Sequence, residues 1–271
     1  MRLKPNYLYL IILILFGCIS KKNSKSININ EKAIPNISFD YIDSYPHDTT
    51  SFTEGFLIHN GQLYESTGSP KSLPQTKSLF GIVNLKTGHI EKKVEIDKTK
   101  YFGEGITFLN NKAYQLTYKS RIGFIYDLST FKKIKEFEIP SKEGWGLTND
   151  GRYLIMSDGS YQLRYIDPLT MQVIKTLNVT EKGRFKEYLN ELEYIKGYIF
   201  ANIWTTNTIV KIDPVDGKII GKLDMTDYAF SAKSLYYGSL EMNGIAYDSI
   251  SDKTYVTGKL WPKIYEIKLI D

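Results

Sequence analysis

The segment Glu104-Gly105-Ile106 has four counterparts elsewhere in the chain, and each is followed by a similar succession of apolar runs and turns. The counterparts are Glu54-Gly55-Phe56, Trp145-Gly146-Leu147, Asn190-Glu191-Leu192 and Asn243-Gly244-Ile245. In chain order, the first residues of the five segments are 50, 41, 45 and 53 positions apart. Self-similarity at such a period indicates an architecture built from repeated structural units.

Each repeat contains several short apolar runs. The second run of the five repeats ends at Gly68, Tyr118, Asp158, Trp204 and Lys259. In the first four repeats, a third run leads into a turn-forming sequence such as Asp127-Leu128-Ser129-Thr130, and a fourth, alternating run follows. Four strands in a repeat of about 40–50 residues are typical of a β-propeller blade. We therefore predict an all-β fold, a five-bladed β-propeller with four antiparallel strands per blade.

The fifth repeat has three apolar runs, the last at Ile267-Lys268-Leu269. The alternating segment 37–42 precedes the first repeat, and we expect it to supply the missing outer strand of the last blade. Such closure removes an open sheet edge. The predicted propeller spans residues 36–271. Two longer connections, 181–188 and 226–240, interrupt the pattern and are candidates for short helices or plain insertions.

Composition excludes several classes of protein. The 271 residues carry a net charge of +5 and include 21 Tyr and 13 Phe, which is too aromatic for a disordered chain. A single Cys excludes a disulfide framework. Lys and Arg form no cluster with interleaved aromatic residues, so we expect no nucleic acid as a partner. The histidines, His47, His59 and His89, leave no set with zinc-ligand spacing, so we expect no catalytic metal and no cofactor.

The start of the chain has the pattern of a targeting segment. Arg2 and Lys4 precede an apolar run at 7–16, which is too short to span a membrane. The run ends at Leu15-Phe16-Gly17-Cys18, which resembles a bacterial lipoprotein box.

From this pattern we expect a lipoprotein-type signal peptide over residues 1–17, lipidation of Cys18, and a polar, flexible tether over residues 18–35. The alternative is an ordinary secretory signal with an incidental cysteine. The predicted location is outside the cytoplasm, periplasmic or at the cell surface, with the lipid anchor on a membrane.

The first strand of each propeller blade lines the central channel, so equivalent residues of the repeats form a ring at one mouth. The residues at the start of the repeats are Glu54, Glu104, Trp145, Asn190 and Asn243. Repeats maintained only for packing should have similar residues at equivalent positions, whereas these vary in type and stay polar or aromatic. The first residues of the repeats and the last residues of the second apolar runs therefore predict a site shared by several blades. Each residue alone also has a structural interpretation, such as blade packing by Trp or turn formation by Asn.

The order of these motifs resembles the plant-type glutaminyl-peptide cyclotransferases, or glutaminyl cyclases, a family that also occurs in bacteria. The resemblance covers residues 40–268 and all five blades. The motifs in the first half are Pro46-His47-Asp48, Phe52-Thr53-Glu54-Gly55, Leu63-Tyr64-Glu65-Ser66-Thr67-Gly68, Phe102-Gly103-Glu104-Gly105-Ile106-Thr107 and Gln115-Leu116-Thr117-Tyr118. Those in the second half are Glu143-Gly144-Trp145-Gly146-Leu147-Thr148, Ser157-Asp158-Gly159-Ser160, Leu189-Asn190-Glu191-Leu192-Glu193, Ala201-Asn202-Ile203-Trp204, 240–246 and Thr257-Gly258-Lys259-Leu260-Trp261-Pro262.

The resemblance implies that the chain converts the N-terminal glutamine of peptides or proteins to pyroglutamate, with release of ammonia and without a catalytic metal. It makes Glu104 the catalytic carboxylate, which takes a proton from the α-ammonium and returns it to the departing ammonia. It makes Asn190 and Lys259 the donors that polarise the γ-carbonyl group. The pocket walls that hold the folded-back glutamine would be Phe52, Trp145 and Trp204.

Two residues depart from the usual pattern of this family. Glu54 stands where Gln is common and Tyr118 where Trp is common, and we place both among the substrate-binding residues. Tyr118 keeps an aromatic wall. A second carboxylate near Glu104 raises the pKa of one of the two, so we expect retained activity with a shifted pH optimum; alternatively, Glu54 binds the substrate ammonium.

Two other functions stay open at the level of the sequence. One is a catalytically silent propeller lipoprotein that binds peptides or partner proteins, because fold alone does not establish activity. The other is a propeller hydrolase such as a lactonase, whose site gathers metal-binding carboxylates and histidines. The presence of Glu104, Asn190 and Lys259 together favours the cyclotransferase. The expected partners are peptides or proteins with an N-terminal Gln and a membrane contacted through the lipid anchor, and the expected state is a monomer.

Overall fold

Five four-stranded antiparallel sheets and a separate two-stranded sheet make up the β structure of residues 33–270, the part of the chain that the computed structural model describes. The innermost strands of neighbouring sheets contact one another in a closed ring. This arrangement confirms the predicted five-bladed propeller. The predicted signal peptide, Cys18 and all but the last three residues of the predicted tether lie outside the described residues.

The strands are numbered in chain order, beginning with β1 (Phe39–Pro46). Blade 1 comprises β2 (Phe52–His59), β3 (Gln62–Gly68), β4 (Leu79–Val83) and β5 (Ile90–Glu95). Blade 2 comprises β6 (Gly103–Leu109), β7 (Lys112–Thr117), β8 (Ile122–Asp127) and β9 (Lys133–Glu138). Blade 3 comprises β10 (Leu147–Asn149), β11 (Leu154–Met156), β12 (Gln162–Ile166) and β13 (Val173–Asn178).

A short hairpin, β14 (Thr180–Glu181) and β15 (Arg184–Phe185), connects blades 3 and 4. Blade 4 comprises β16 (Leu189–Ile195), β17 (Tyr198–Ile203), β18 (Thr208–Ile212) and β19 (Ile219–Asp224). The helix α1 (Thr226–Leu235) leads to blade 5, which comprises β20 (Met242–Asp248), β21 (Lys253–Gly258), β22 (Lys263–Leu269) and β1. No helix within residues 33–270 is long and apolar enough to cross a membrane.

Strand β1 closes the ring as predicted, because it pairs antiparallel with β22 as the outer strand of blade 5. The strand begins later than the alternation suggested, at Phe39 rather than Ile37, and continues to Pro46. Ile37 instead donates its backbone N–H to the carbonyl of Lys222 in blade 4, at 2.7 Å. The chain therefore contacts blade 4 before it enters blade 5.

The two long connections have different structures. The segment 226–240 contains α1, in agreement with the expected short helix. Of the two alternatives left open for 181–188, a short helix is not found: this segment forms most of the β14–β15 hairpin. Lys182 and Gly183 at its tip have φ angles of 49° and 70°, and two successive positive φ angles are typical of the turns that connect hairpin strands.

The apolar core is divided among the five spaces between neighbouring blades. Each of the five clusters of buried apolar side chains is formed by the facing strands of two adjacent blades. Burial falls from the channel outward: every residue of β6 is buried, whereas β9 at the rim of the same blade is almost entirely exposed. Since apolar burial is the main stabilising contribution, this gradient fixes the inner strands most firmly.

Candidate active site

A cavity of about 410 Å³ opens where the inner strands begin and the second strands end. All eight predicted site residues line it: Phe52, Glu54, Glu104, Tyr118, Trp145, Asn190, Trp204 and Lys259. The remaining lining residues are Pro70, Phe102, Asp158, Gly159, Tyr188 and Glu241. The structure therefore brings residues from all five blades together in one site.

A β-bulge in the inner strand presents the first residue of the repeat motif to this end of the channel. In β2, Thr53 pairs with Thr67 and Gly55 pairs with Ser66, which leaves Glu54 without a partner across the ladder. The equivalent bulges hold Glu104 in β6, Asn190 in β16 and Asn243 in β20. A bulge breaks the strict alternation of side chains and redirects one of them. The bulges therefore explain why polar residues of the repeat converge on the channel.

Glycine follows the first residue of the repeat motif in four of the five repeats because the inner strands approach one another closely. A Cβ atom on Gly105 would lie 2.5 Å from the backbone nitrogen of Leu147 and 2.6 Å from the carbonyl oxygen of Trp145. A Cβ atom on Gly146 would lie 2.1 Å from the carbonyl oxygen of Asn190. These contacts leave no space for a side chain, so the glycines allow the ring to close tightly around its axis.

In blade 4, Glu191 stands in place of this glycine, and its carboxylate accepts hydrogen bonds from the inner strands of two other blades. Oε1 accepts the backbone N–H of Phe56 at 3.2 Å, and Oε2 accepts that of Ile245 at 2.9 Å. Two residues further on, Oε1 of Glu193 accepts the N–H of Tyr247 at 2.9 Å. Burial raises the pKa of Glu191 well above its ordinary value and that of Glu193 to about 8. Sequence reasoning missed both roles, although the replacement of a recurrent glycine by Glu191 was a visible signal.

Glu54 and Lys259 form a buried ion pair inside the cavity. Nζ of Lys259 donates to Oε1 of Glu54 at 2.8 Å and lies 4.5 Å from the centre of the Phe52 ring. The side-chain amide of Asn243 donates to Oε2 of Glu54 at 3.2 Å and to the carbonyl of Thr53 at 3.0 Å. Burial raises the pKa of Glu54 to about 7, against the opposing effect of the lysine charge. Both oxygens of Glu54 are therefore occupied by neighbouring donors.

The side chains of Glu104 and Asn190 have no hydrogen-bond partner among residues 33–270, although their backbone carbonyls accept bonds from Ser66 and Ser157. The two residues expose only 5% and 3% of their surface. Burial, and then the negative charge of Glu54, raise the pKa of the Glu104 carboxyl well above its ordinary value. A buried carboxyl group and a buried amide thus line the cavity without a hydrogen-bond partner in the described part of the chain, which leaves both able to bind a substrate.

Two groups of aromatic rings enclose these polar residues. In the first, the ring of Phe102 lies 5.9 Å from those of both Phe52 and Tyr118. In the second, the rings of Trp145 and Trp204 pack edge to face at 5.6 Å, and Tyr188 lies 5.9 Å from Trp204. These rings exclude water from the polar groups and offer apolar surface to a ligand.

Two residues of the repeat columns lie outside the cavity lining. Asn243 is fully buried and acts on Glu54 through its amide. Gly68 is covered by the ring of Phe102, since a Cβ atom there would lie 2.2 Å from that ring. The ring of Phe102 therefore occupies the space next to Gly68.

Sequence reasoning missed Phe102, Tyr188 and Glu241. Each lies two positions before the first residue of a repeat motif and directly before its inner strand begins. Reading this second column of the repeat would have found them, because its other members include Phe52.

Within the part of the chain that the structure describes, no three His, Cys, Asp or Glu side chains are grouped as metal ligands. The side chains that remain to act on a ligand in the cavity are carboxyl groups, amides, a lysine and aromatic rings.

Comparisons with known proteins agree with this geometry. The model of the glutamine cyclotransferase family matches residues 10–269. The glutaminyl-peptide cyclotransferase of Arabidopsis thaliana is 42% identical over 230 residues, which cover 84% of this chain and 70% of that protein. The crystal structure of Myxococcus xanthus glutaminyl cyclase aligns with a TM-score of 0.74 at 28% identity, covering 88% of this chain and 99% of that one. The chain therefore belongs to the glutamine cyclotransferase family, the enzymes known as glutaminyl-peptide cyclotransferases.

Proposed function

We propose that this enzyme cyclises N-terminal glutamine by a metal-independent reaction in which Glu104 is the general acid and base. The observation that carries this assignment is the contrast between the two buried carboxylates of the cavity, Glu54 and Glu104. Both oxygens of Glu54 are bound by Lys259 and Asn243, whereas the oxygens of Glu104 have no partner among the described residues. Of the two buried carboxylates, Glu104 is therefore the one that can reach a substrate proton.

The environment of Glu104 suits transfer of a proton from an α-ammonium group. An N-terminal amine has a pKa of about 7.7–8.0. Because the pKa of Glu104 is raised, it lies closer to that of the amine than an ordinary carboxyl pKa does. Proton transfer is most efficient between groups whose pKa values lie near each other and near the working pH. The arriving ammonium also favours the ionised form of Glu104 by its charge.

In the proposed reaction, Glu104 first takes a proton from the α-ammonium. The freed nitrogen attacks the carbon of the side-chain amide, and the new C–N bond closes the five-membered ring. Glu104 then gives its proton to the leaving amide nitrogen and accepts the one that the ring nitrogen loses. The old C–N bond breaks, and the products are ammonia and the pyroglutamyl peptide. The departing ammonia takes the remaining proton from Glu104 and leaves as ammonium, which returns Glu104 to its ionised form.

Asn190 and Lys259 are the proposed donors to the oxygen that becomes negatively charged when the amine attacks. Lys259 is 6% exposed and uses one of its three N–H donors on Glu54, so two remain for the substrate. The Asn190 amide has no protein partner among the described residues. Donors fixed in a dehydrated cavity before reaction stabilise a developing oxyanion strongly.

Phe52, Tyr118, Trp145 and Trp204 are the proposed walls of the glutamine pocket. A glutamine side chain must fold back so that its amide carbon meets its own α-nitrogen, and rigid walls favour this conformer. Trp145 is itself fixed, because its indole N–H donates to Glu143 at 3.0 Å.

The test is ammonia release from a Gln-initiated dipeptide by the purified protein, with and without a chelator, accompanied by mass spectrometry of the peptide product. We expect ammonia and the cyclised peptide in equal amounts, at a rate unaffected by the chelator. Release that stops on chelation and returns with added metal would contradict metal independence. A folded protein that releases no ammonia over a wide pH range would favour a peptide-binding role instead.

We also propose that the protein is exported as a monomeric lipoprotein, with residues 1–17 as the signal peptide and Cys18 as the lipidated residue. The support is the sequence alone, namely the short apolar run and the Gly17-Cys18 junction. Labelling of cells with a fatty acid should mark the wild type and not Cys18→Ser. Light scattering of detergent-free protein without its lipid tests the monomeric state.

A further inference from the structure

One residue of each repeat lies two positions before the bulged residue or its blade 3 equivalent, Trp145; four of these five residues line the cavity, and all five are more exposed than the buried Glu54, Glu104 and Asn190. We call these five residues the rim: Phe52, Phe102, Glu143, Tyr188 and Glu241. Three are aromatic and belong to the walls described above. The other two are carboxylates, and they differ in their surroundings.

Glu143 is neutralised by its neighbours. Its carboxylate accepts the indole N–H of Trp145 at 3.0 Å and lies 3.5 Å from Nζ of Lys119. Glu241 has no hydrogen-bond or ion-pair partner for its carboxylate among residues 33–270, yet it lines the cavity. Its backbone is fixed beside the site, because Lys259 donates its N–H to the carbonyl of Glu241 at 2.9 Å.

The charges of the cavity leave Glu241 uncompensated. Glu54 is paired with Lys259, and Asp158 at the opposite side is paired with Arg164. Glu104 receives the α-ammonium of the substrate in the proposed reaction. The negative charge of Glu241 is already felt inside the cavity, where it raises the pKa of Glu54 after the larger effect of burial. A substrate with a single positive charge at its N-terminus therefore leaves one carboxylate at the rim without a partner.

We infer that Glu241 is a specificity-determining residue, which binds the cationic side chain of the residue after the N-terminal glutamine. The reacting glutamine fills the enclosed part of the cavity, so the peptide leaves through the rim, and its second side chain is the next group to reach it. The substrate class is then peptides that begin Gln-Lys or Gln-Arg, in preference to Gln-Asp or Gln-Glu. This inference rests on the proposed function and adds a substrate preference to it.

The experiment compares kcat/KM for three peptides that differ only in the second residue: Gln-Lys, Gln-Ala and Gln-Glu. The enzymes are the wild type, Glu241→Gln and the charge-matched control Glu91→Gln, whose carboxylate lies on the exposed outer strand β5. Both variants change the net charge equally, so they separate a local effect from a global one.

We expect the wild type to prefer Gln-Lys over Gln-Glu by about tenfold, which corresponds to about 1.4 kcal/mol for a half-buried charge at a surface. This ratio should fall to near one in Glu241→Gln, stay at the wild-type value in Glu91→Gln, and decrease with added salt. Charge reversal in Glu241→Lys should invert the preference.

The inference would be overturned if the ratio of kcat/KM for Gln-Lys to that for Gln-Glu were the same in Glu241→Gln and the wild type. In that case, continued turnover of the peptides would leave the proposed function intact. An equal loss of kcat/KM for all three peptides would overturn it too, because Glu241 would then contact the α-ammonium and not the second residue. Absence of turnover with every peptide by folded wild-type enzyme would instead overturn the proposed function, and this inference with it.

Discussion

Nζ of Lys259 lies 2.8 Å from Oε1 of Glu54, a residue 205 positions earlier in the chain. Lys259 directly follows the second strand of blade 5, and Glu54 occupies the bulge in the inner strand of blade 1. The ion pair therefore crosses the junction at which the propeller closes. It holds the lysine in the cavity and occupies Glu54, whereas the buried carboxylate of Glu104 has no hydrogen-bond partner among residues 33–270.

Replacing Glu54 by Gln should shift the pH dependence of the reaction. The charge of Glu54 contributes to the raised pKa of Glu104, so its removal lowers that pKa. The acidic limb of the pH profile of kcat/KM should then move to lower pH, because Glu104 becomes ionised at a lower pH. Measuring kcat/KM of both proteins from about pH 5 to about pH 9 covers the expected limb. An unchanged limb would mean that Glu54 does not act on the catalytic carboxyl.

Removing the amide of Asn190 should slow the chemical step more than it weakens binding. Loss of one oxyanion donor typically lowers kcat by about 10²–10³-fold, and we expect this for Asn190→Ala with little change in KM. The control is Asn149→Ala, whose amide donates to Thr107 and to the carbonyl of Phe108 outside the cavity. If the two variants lose kcat equally, the effect of Asn190 is structural.

Stability should fall as the pH rises, because Glu193 is folded into a site that favours its neutral form. Its pKa is about 8 in the folded protein and about 4.3 in an unfolded chain. Its contribution is therefore complete below about pH 4.3 and is lost as the pH rises to about 8, with a slope of at most about 1.4 kcal/mol per pH unit.

Glu193→Gln imitates the neutral form and keeps an acceptor for the N–H of Tyr247. Urea unfolding of the two proteins at several pH values should show a flatter decline for the variant. Parallel curves would show that Glu193 titrates alike in the folded and unfolded chains.

The repeat made most of the fold and the site predictable. Once the five segments were aligned, blade number, closure by the first strand and the eight site residues followed from position in the repeat or from the family resemblance. The bulges explain this success, since each of them presents the motif residue of its repeat to the channel.

The parts that could not be predicted depend on contacts between distant residues. No sequence pattern indicates that Lys259 pairs with Glu54, or that the Glu191 carboxylate accepts the backbone N–H groups of Phe56 and Ile245. The sequence left the segment 181–188 open between a short helix and an insertion, because Lys182 is not a typical turn residue, although Gly183 is.

The central claim is that Glu104, and not Glu54, transfers the proton. The most direct measurement is kcat for Glu104→Gln beside Glu54→Gln, each at its own optimal pH, on the same Gln-initiated dipeptide and with circular dichroism to verify folding. We predict that Glu104→Gln loses at least about 10²–10⁴-fold in kcat, as expected for removal of a general acid and base, while Glu54→Gln remains active. A folded Glu104→Gln enzyme with near wild-type turnover, or an inactive Glu54→Gln beside it, would contradict the account.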